Sequence, residues 1–310
     1  MDVKILAINE FMGSSIGLFE NGKPIICVEE ERFIRKKNFK GFPKNAFNYI
    51  CQNFNINSEN IDFVVISNIN LMPGDKESYY KYYDENFEIA LRNLKSEKNR
   101  IKNYLKKTLK ETPLYTLFKK LYHKNEKIDI SQNILIENNF KPNQIIRLNH
   151  HLCHASTVYF GLAKDLQSKY LVFTLDGGGD LEKNTISIAE QGIINKISGS
   201  NSFSIGNIYS CTTYFLGFNP HEHEYKLMGL APYVNPKYSE KYCAYFRKFL
   251  DLKNDDTEFY NPIKLDHSIF FNHLLNNFSK DRFDNIAAGL QKFTEEICVR
   301  WIKGNIKKYK

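Results

Sequence analysis

Apolar and polar positions alternate along the opening of the chain in a way that predicts three strands. These are VKILAINE, SIGLFE and KPIICVEEE within residues 3–31, with an FMGS turn between the first two. Asn21-Gly22 joins the second and third and is the dipeptide expected of a two-residue hairpin turn. PKNAFNYICQNF (43–54) then carries apolar residues at helical spacing, and IDFVVISNI (61–69) reads as a buried strand. IIRL (145–148) predicts a short strand, with Asn149 placed to cap a helix from His150 to about Phe160 and Gly161 as its stop. YLVFTLD (170–176) is a continuous apolar run of strand length, the kind buried on both faces of a parallel or mixed sheet. The residues from Asn285 to Lys307 predict an amphipathic helix with cations at its end, where the helix dipole favours them.

The three-strand pattern recurs. YLVFTLD, the loop GGGDLEKN, TISIAE, the turn Gln191-Gly192 and IINKISGS repeat the order strand, polar loop, strand, tight turn, strand. Each copy's first strand ends on a polar side chain, Asn9 or Asp176, followed by small residues. Two such units, each joined to helix and strand, predict an α/β protein with two similar lobes across a cleft. This resembles the ribonuclease-H-like folds of actin, chaperone ATPases and sugar kinases, in which the two turns grip phosphate. The candidate nucleotide-binding positions are therefore Ser14 and Ser15 in the first turn and Gly177, Gly178 and Gly179 in the second. The expected lobes are 1–145 and 146–310, the second of them incomplete. Between about 73 and 130, lysines and tyrosines interleave over two or three helices, which predicts a solvated insertion in the first lobe.

Chemistry concentrates in residues 145–180. On a helix His150 and His154 stand at i and i+4, so both rings leave one face and can meet on one ion, while His151 points elsewhere. Asp176 at the end of the following strand supplies a third ligand of suitable type. A bland alternative makes these surface or capping imidazoles beside a plain glycine turn, but the clustering of three histidines, an aspartate and three glycines favours a metal site. A zinc protease of the HExxH type is excluded, because His151 stands where its glutamate base would be. Further on, SFSIGNIYSCTTYFLGFNPHEHEYKLMGLAPY reads as a loop-rich pocket lining. In it Glu224 and Lys226 are candidates for gripping phosphate or orienting a carbamoyl-like group.

Composition narrows the classes. At 310 residues with 42% hydrophobic and 14% aromatic positions, the chain can bury a full core. No run reaches membrane-spanning length, and MDVKILAINE lacks the features of a signal peptide, so a cytoplasmic location is expected. Six cysteines without a CxxC pair fit reduced thiols, and Cys153, inside the histidine cluster, reads as packing rather than as a ligand. The net charge of +8 follows from a general abundance of lysine and makes a weak case for nucleic acid.

Four ordered blocks, ILAINEFMGSS, VEEERFIRKKNFKGFP, NHHLCHASTVYF with LDGGGD, and LGFNPHEHEYKLMGLAPY, resemble the O-carbamoyltransferases of the NodU/CmcH type over nearly all of the chain. The resemblance implies transfer of a carbamoyl group from carbamoyl adenylate to the hydroxyl of a sugar or secondary metabolite. In that family the adenylate is made from carbamoyl phosphate and ATP in a separate YrdC-like domain. It assigns His150, His154 and Asp176 to a divalent ion, iron in the family. Three departures stand out. Met12-Gly13 replaces a His-Asp pair whose histidine serves as base, which leaves His151 as the candidate base. Lys37-Asn38 lacks the second block's closing histidine. The later glycine block, a last metal-binding aspartate and the YrdC-like domain are not in these 310 residues, so the expectation is a fragment of a longer polypeptide, a second chain that supplies them, or a decayed gene. Loss of those elements also suits a second reading, a catalytically inactive metal- and nucleotide-binding or assembly module.

Overall fold

The computed structural model describes residues 2–69, 129–201, 204–253, 255–263 and 267–310. The insertion expected over 73–130 lies outside the described residues up to 128. The chain divides into two compact units, 1–149 and 150–310.

The first unit is built on a five-stranded mixed sheet. β1 (Lys4–Asn9), β2 (Ser15–Glu20) and β3 (Lys23–Glu29) form an antiparallel meander, and β4 (Phe63–Ile66) and β5 (Ile145–Arg147) extend it in parallel, in the order β3-β2-β1-β4-β5. The hairpin forms where Asn21-Gly22 predicts it, with both residues at positive φ, 52° and 76°. Alternation sends Leu6, Ile8, Ile16, Leu18, Val64 and Ile66 into one core. Ala46, Phe47 and Ile50 of the helix Lys44–Asn53 and Leu135 of Ile130–Glu137 cover it. Glu30, only 2% exposed, accepts the backbone N–H groups of Asn45 and Ala46, both at 2.9 Å. Its carboxylate thus satisfies otherwise orphaned donors at a helix N-terminus, a structural duty within the VEEERF block. Arg147 is clamped by Asp129, with Nε to Oδ2 and Nη2 to Oδ1 both at 2.6 Å, and by Glu10 at 2.9 Å.

The second unit carries the other meander. β6 (Tyr170–Gly179), β7 (Glu182–Glu190) and β8 (Ile193–Ser200) are wholly antiparallel. Apolar faces of β6 are covered on both sides as its composition predicts, but its sheet is wholly antiparallel, not parallel or mixed. Tyr170 and Val172 pack with Ala155 and Tyr159 of the helix His150–Leu162. Leu171 and Phe173 pack on the opposite core, which holds Ile208, Phe246, Phe270, Leu290, Phe293 and Trp301.

Several expectations are corrected here. The supposed loop GGGDLEKN is mostly strand, because β6 runs through Gly179 and β7 starts at Glu182. The reversal is made by Asp180 and Leu181, at φ 47° and 66°. The histidine helix continues through Gly161 to Leu162. The stretch expected to be loop-rich contains the helices Ile205–Phe215 and Glu224–Leu230, and the final helix is longer than predicted, Phe283–Tyr309. Among the described residues the second unit has no parallel strands after its meander, so only the three-strand part of the expected duplication is present. No described helix is long and apolar enough to cross a membrane.

Candidate metal centre

Strand and helix periodicities together assemble the site. Tyr170, Val172, Thr174 and Asp176 occupy alternate positions of β6, and the first two pack against the helix His150–Leu162. His151, Ala155 and Tyr159 recur at intervals of four on that helix and form its buried stripe. His151 therefore meets Thr174, with Nδ1 2.7 Å from Oγ1, and Thr174 lies 2.7 Å from the Thr185 hydroxyl. One position round the helix, His150 and His154 flank that stripe and face Asp176.

His150 Nε2 lies 2.8 Å from Asp176 Oδ2 and 3.1 Å from His154 Nε2, while His154 Nε2 and Asp176 Oδ2 are 3.9 Å apart. Side-chain exposure grades from 16% at His150 to 36% at Asp176 and 54% at His154, so the cluster is open on one side. Adjacent ligands around an ion with bonds of about 2.1 Å stand roughly 3 Å apart, and the three atoms match that spacing with small adjustments. Two imidazoles and a carboxylate with free positions suit a transition-metal ion.

Electrostatics favours the ligating states. A hydrogen bond from His150 outweighs burial at Asp176, and with the Gly177 N–H it pulls the carboxyl down to about 2. Burial and the neighbouring His150 lower the pKa of His154, which keeps its imidazole neutral and its lone pair available. The helix entrance is held by Asp180, whose Oδ2 accepts the His150 N–H at 2.7 Å.

The glycine segment lies against the cluster. A Cβ at Gly179 would overlap the His150 ring and stand 2.8 Å from its Cβ. Gly178 has φ +145°, a backbone state that side chains disfavour. The Gly177 N–H is already given to Asp176 Oδ1 at 2.6 Å. Close approach to a ligand accounts for Gly179 alone, since a Cβ on Gly177 would meet nothing within 4 Å.

The other candidates are placed as follows. His151 is 1% exposed, and its Nε2 has no hydrogen-bond partner among the described residues. Ser14, 1% exposed, donates its hydroxyl to the Gly41 carbonyl at 2.6 Å, so that oxygen ties the first turn to the chain after VEEERF. Ser15 begins β2 opposite Asn9. Met12 and Gly13 sit in the turn that Asn9 holds through their carbonyls, at 3.3 and 3.2 Å. Glu224 accepts the His221 N–H at 2.6 Å, and the Lys226 ammonium lies 5.8 Å from the Phe218 ring centre. Sequence reading missed Lys183 altogether: half-buried on β7, it donates to Asn207 Oδ1 at 2.6 Å and interacts electrostatically with Asp176. In the sequence it stands in the polar run Glu182-Lys183-Asn184, with nothing to mark it.

A family model for the carbamoyltransferase N-terminus matches residues 4–310. The chain belongs to the carbamoyltransferase family. An uncharacterized protein of Synechocystis is 27% identical over 320 residues, covering 96% of this chain and 47% of the relative. One from Methanocaldococcus jannaschii is 25% identical over 342 residues, covering 99% and 55%. Nodulation protein NolNO of Sinorhizobium fredii is 33% identical over 111 residues, 36% of this chain and 16% of that protein. The chain thus spans about half the length of the first two relatives. The candidate metal cluster, His150, His154 and Asp176, falls wholly in the second compact unit of this chain.

Proposed function

We propose that this carbamoyltransferase chain holds a divalent cation, iron in the first instance, on His150, His154 and Asp176. It uses that cation to transfer a carbamoyl group from carbamoyl adenylate to a hydroxyl of a sugar or secondary metabolite. The observation that carries the reading is the convergence of two imidazole Nε2 atoms and one carboxylate oxygen within 4.8 Å of one another. When bound, the cation would act as a Lewis acid on donor oxygens and stabilise charge that develops as the hydroxyl attacks. The chain's own residues set up that chemistry. Asp176 supplies the negative charge, His154 a neutral lone pair, and Gly179 the clearance that lets His150 reach the same point. His151 suits anchoring better than proton abstraction, since a substrate hydroxyl would have to reach a buried nitrogen. Glu224 and Lys226, at the start of a helix whose Tyr225 and Met228 are exposed, remain proposed donor-orienting groups.

The two meanders support a pair of ribonuclease-H-like units as the frame. Carbamoyl phosphate and ATP are the proposed source of the adenylate, made by a YrdC-like second half or partner chain, in the cytoplasm. A second reading, metal and nucleotide binding without turnover, draws on Met12, which puts no imidazole in the first turn. The deciding experiment supplies iron-loaded protein with synthetic carbamoyl adenylate and a panel of sugar acceptors, and follows acceptor mass. Gain of one carbamoyl group, abolished by Asp176→Asn, supports transfer. Metal binding with no product from any acceptor, even when the second half of a relative is added, supports the binding module.

A further inference from the structure

Among the described residues, Lys183 stands beside the metal cluster with a neutral amide as its hydrogen-bond partner and with no carboxylate in ion-pair contact. Its side chain runs along the glycine segment, and a Cβ on Gly178 would lie 3.8 Å from both Cγ and Cε of the lysine. Its ammonium donates to Asn207 Oδ1, whose amide nitrogen reaches back 3.3 Å to the Gly177 carbonyl. Among the described residues it forms no ion pair, although an ammonium has three donors to satisfy. The carboxylate that acts on it electrostatically is Asp176, the proposed metal ligand.

Charge balance gives this placement a consequence. Two neutral imidazoles and one carboxylate around a divalent ion leave one positive charge uncompensated, and the Lys183 ammonium adds a second. Half-buried like charges repel more strongly than exposed ones, so the metal-loaded site would be relieved by a phosphoryl anion between ion and ammonium, including the single charge of an adenylate phosphate. Flexible and compact, an ammonium matches a phosphoryl group as a point charge.

We infer that Lys183 grips a phosphate group lying between its ammonium and the cation held by His150, His154 and Asp176, with Asn207 fixing the side chain in place. This rests on the metal-assisted reading above and extends it: Lys183 would hold the phosphoryl oxygens of the carbamoyl donor and so select phosphorylated donors. Asn207 is a positioning residue, because it acts through the lysine.

The test titrates inorganic phosphate calorimetrically into wild type, Lys183→Met and Lys183→Arg, each with and without Mn2+. Mn2+ affinity is measured separately on the same proteins. Lys183→Met is expected to weaken phosphate about tenfold or more while leaving Mn2+ affinity unchanged or tighter, and Lys183→Arg to retain most phosphate binding. In wild type, Mn2+ is expected to shorten the 31P relaxation time of bound phosphate sharply, a readout that needs no variant to fold. Equal phosphate affinity in wild type and Lys183→Met overturns the inference, as does wild type that binds no phosphate or, where Mn2+ is bound, phosphate untouched by its relaxation. Loss of Mn2+ binding in Lys183→Met also overturns it, by making the lysine structural. Absence of Mn2+ binding in wild type, with phosphate still dependent on Lys183, removes the metal reading and keeps the anion site.

Discussion

Gly179 and His150 fit so closely that any side chain at 179 would occupy the space of the imidazole ring. The glycine is therefore required by the ligand. Gly179→Ala should displace His150 and weaken Co2+ binding by about tenfold or more, given what misplacing one ligand costs. Gly177→Ala makes the control, because a Cβ there meets nothing within 4 Å. Circular dichroism should be unchanged in both variants and visible Co2+ spectra altered only in the first.

His151 and Thr174 join the helix that carries two ligands to the strand that carries the third. His151→Leu breaks that link and should cost about 1–3 kcal/mol of stability, as a buried polar partner is lost. Metal affinity should fall with it. His151→Asn, which places an amide nitrogen near the position of Nδ1, should recover part of both. Urea unfolding together with metal titration checks the pair of effects.

In the first unit, Arg147 neutralises Glu10 and Asp129, with side chains 14%, 5% and 13% exposed. Burial works against the guanidinium charge, but the two carboxylates outweigh it and raise its pKa. Arg147→Ala leaves two acids with little water and no cationic partner, though Glu10 keeps Ser131 and Asp129 keeps the Gln132 N–H, and should destabilise by about 3–5 kcal/mol in urea unfolding. Co2+ affinity of the folded variant should be unaffected, since the metal cluster lies wholly in the other unit.

Cys153 lies one residue from His154, yet burial, aided by Asp180, pushes its thiol up to about 11. A raised thiol pKa means less thiolate at a given pH, about one part in a thousand at pH 8. Iodoacetamide at that pH should modify Cys153 slowly by mass spectrometry. Cys153→Ala should leave Co2+ affinity within about twofold, as expected for helix packing and not for a ligand.

What could be read from residues alone followed from periodicity. His150 and His154 are one helical turn apart, Asp176 ends an apolar strand, and Asn21-Gly22 makes its turn without tertiary help, so these were legible. The pairing of β6 was not, because an apolar run is the same whether its neighbour is parallel or antiparallel. The duty of Gly179 was not legible for a related reason: composition reports freedom from a side chain, and only the fold shows that His150 uses that space. Ser14 likewise looked free until Gly41 took its hydroxyl. Lys183 was invisible because its significance lies in Asn207 and Asp176, distant in sequence and adjacent only once β6, β7 and the helix Ile205–Phe215 are assembled.

Co2+ titration followed by visible absorption asks directly whether His150, His154 and Asp176 hold one cation. Wild type should bind one equivalent, with ligand-field bands that vanish in His150→Ala and Asp176→Asn while both variants stay folded. One equivalent bound with the same bands in all three proteins would contradict this assignment.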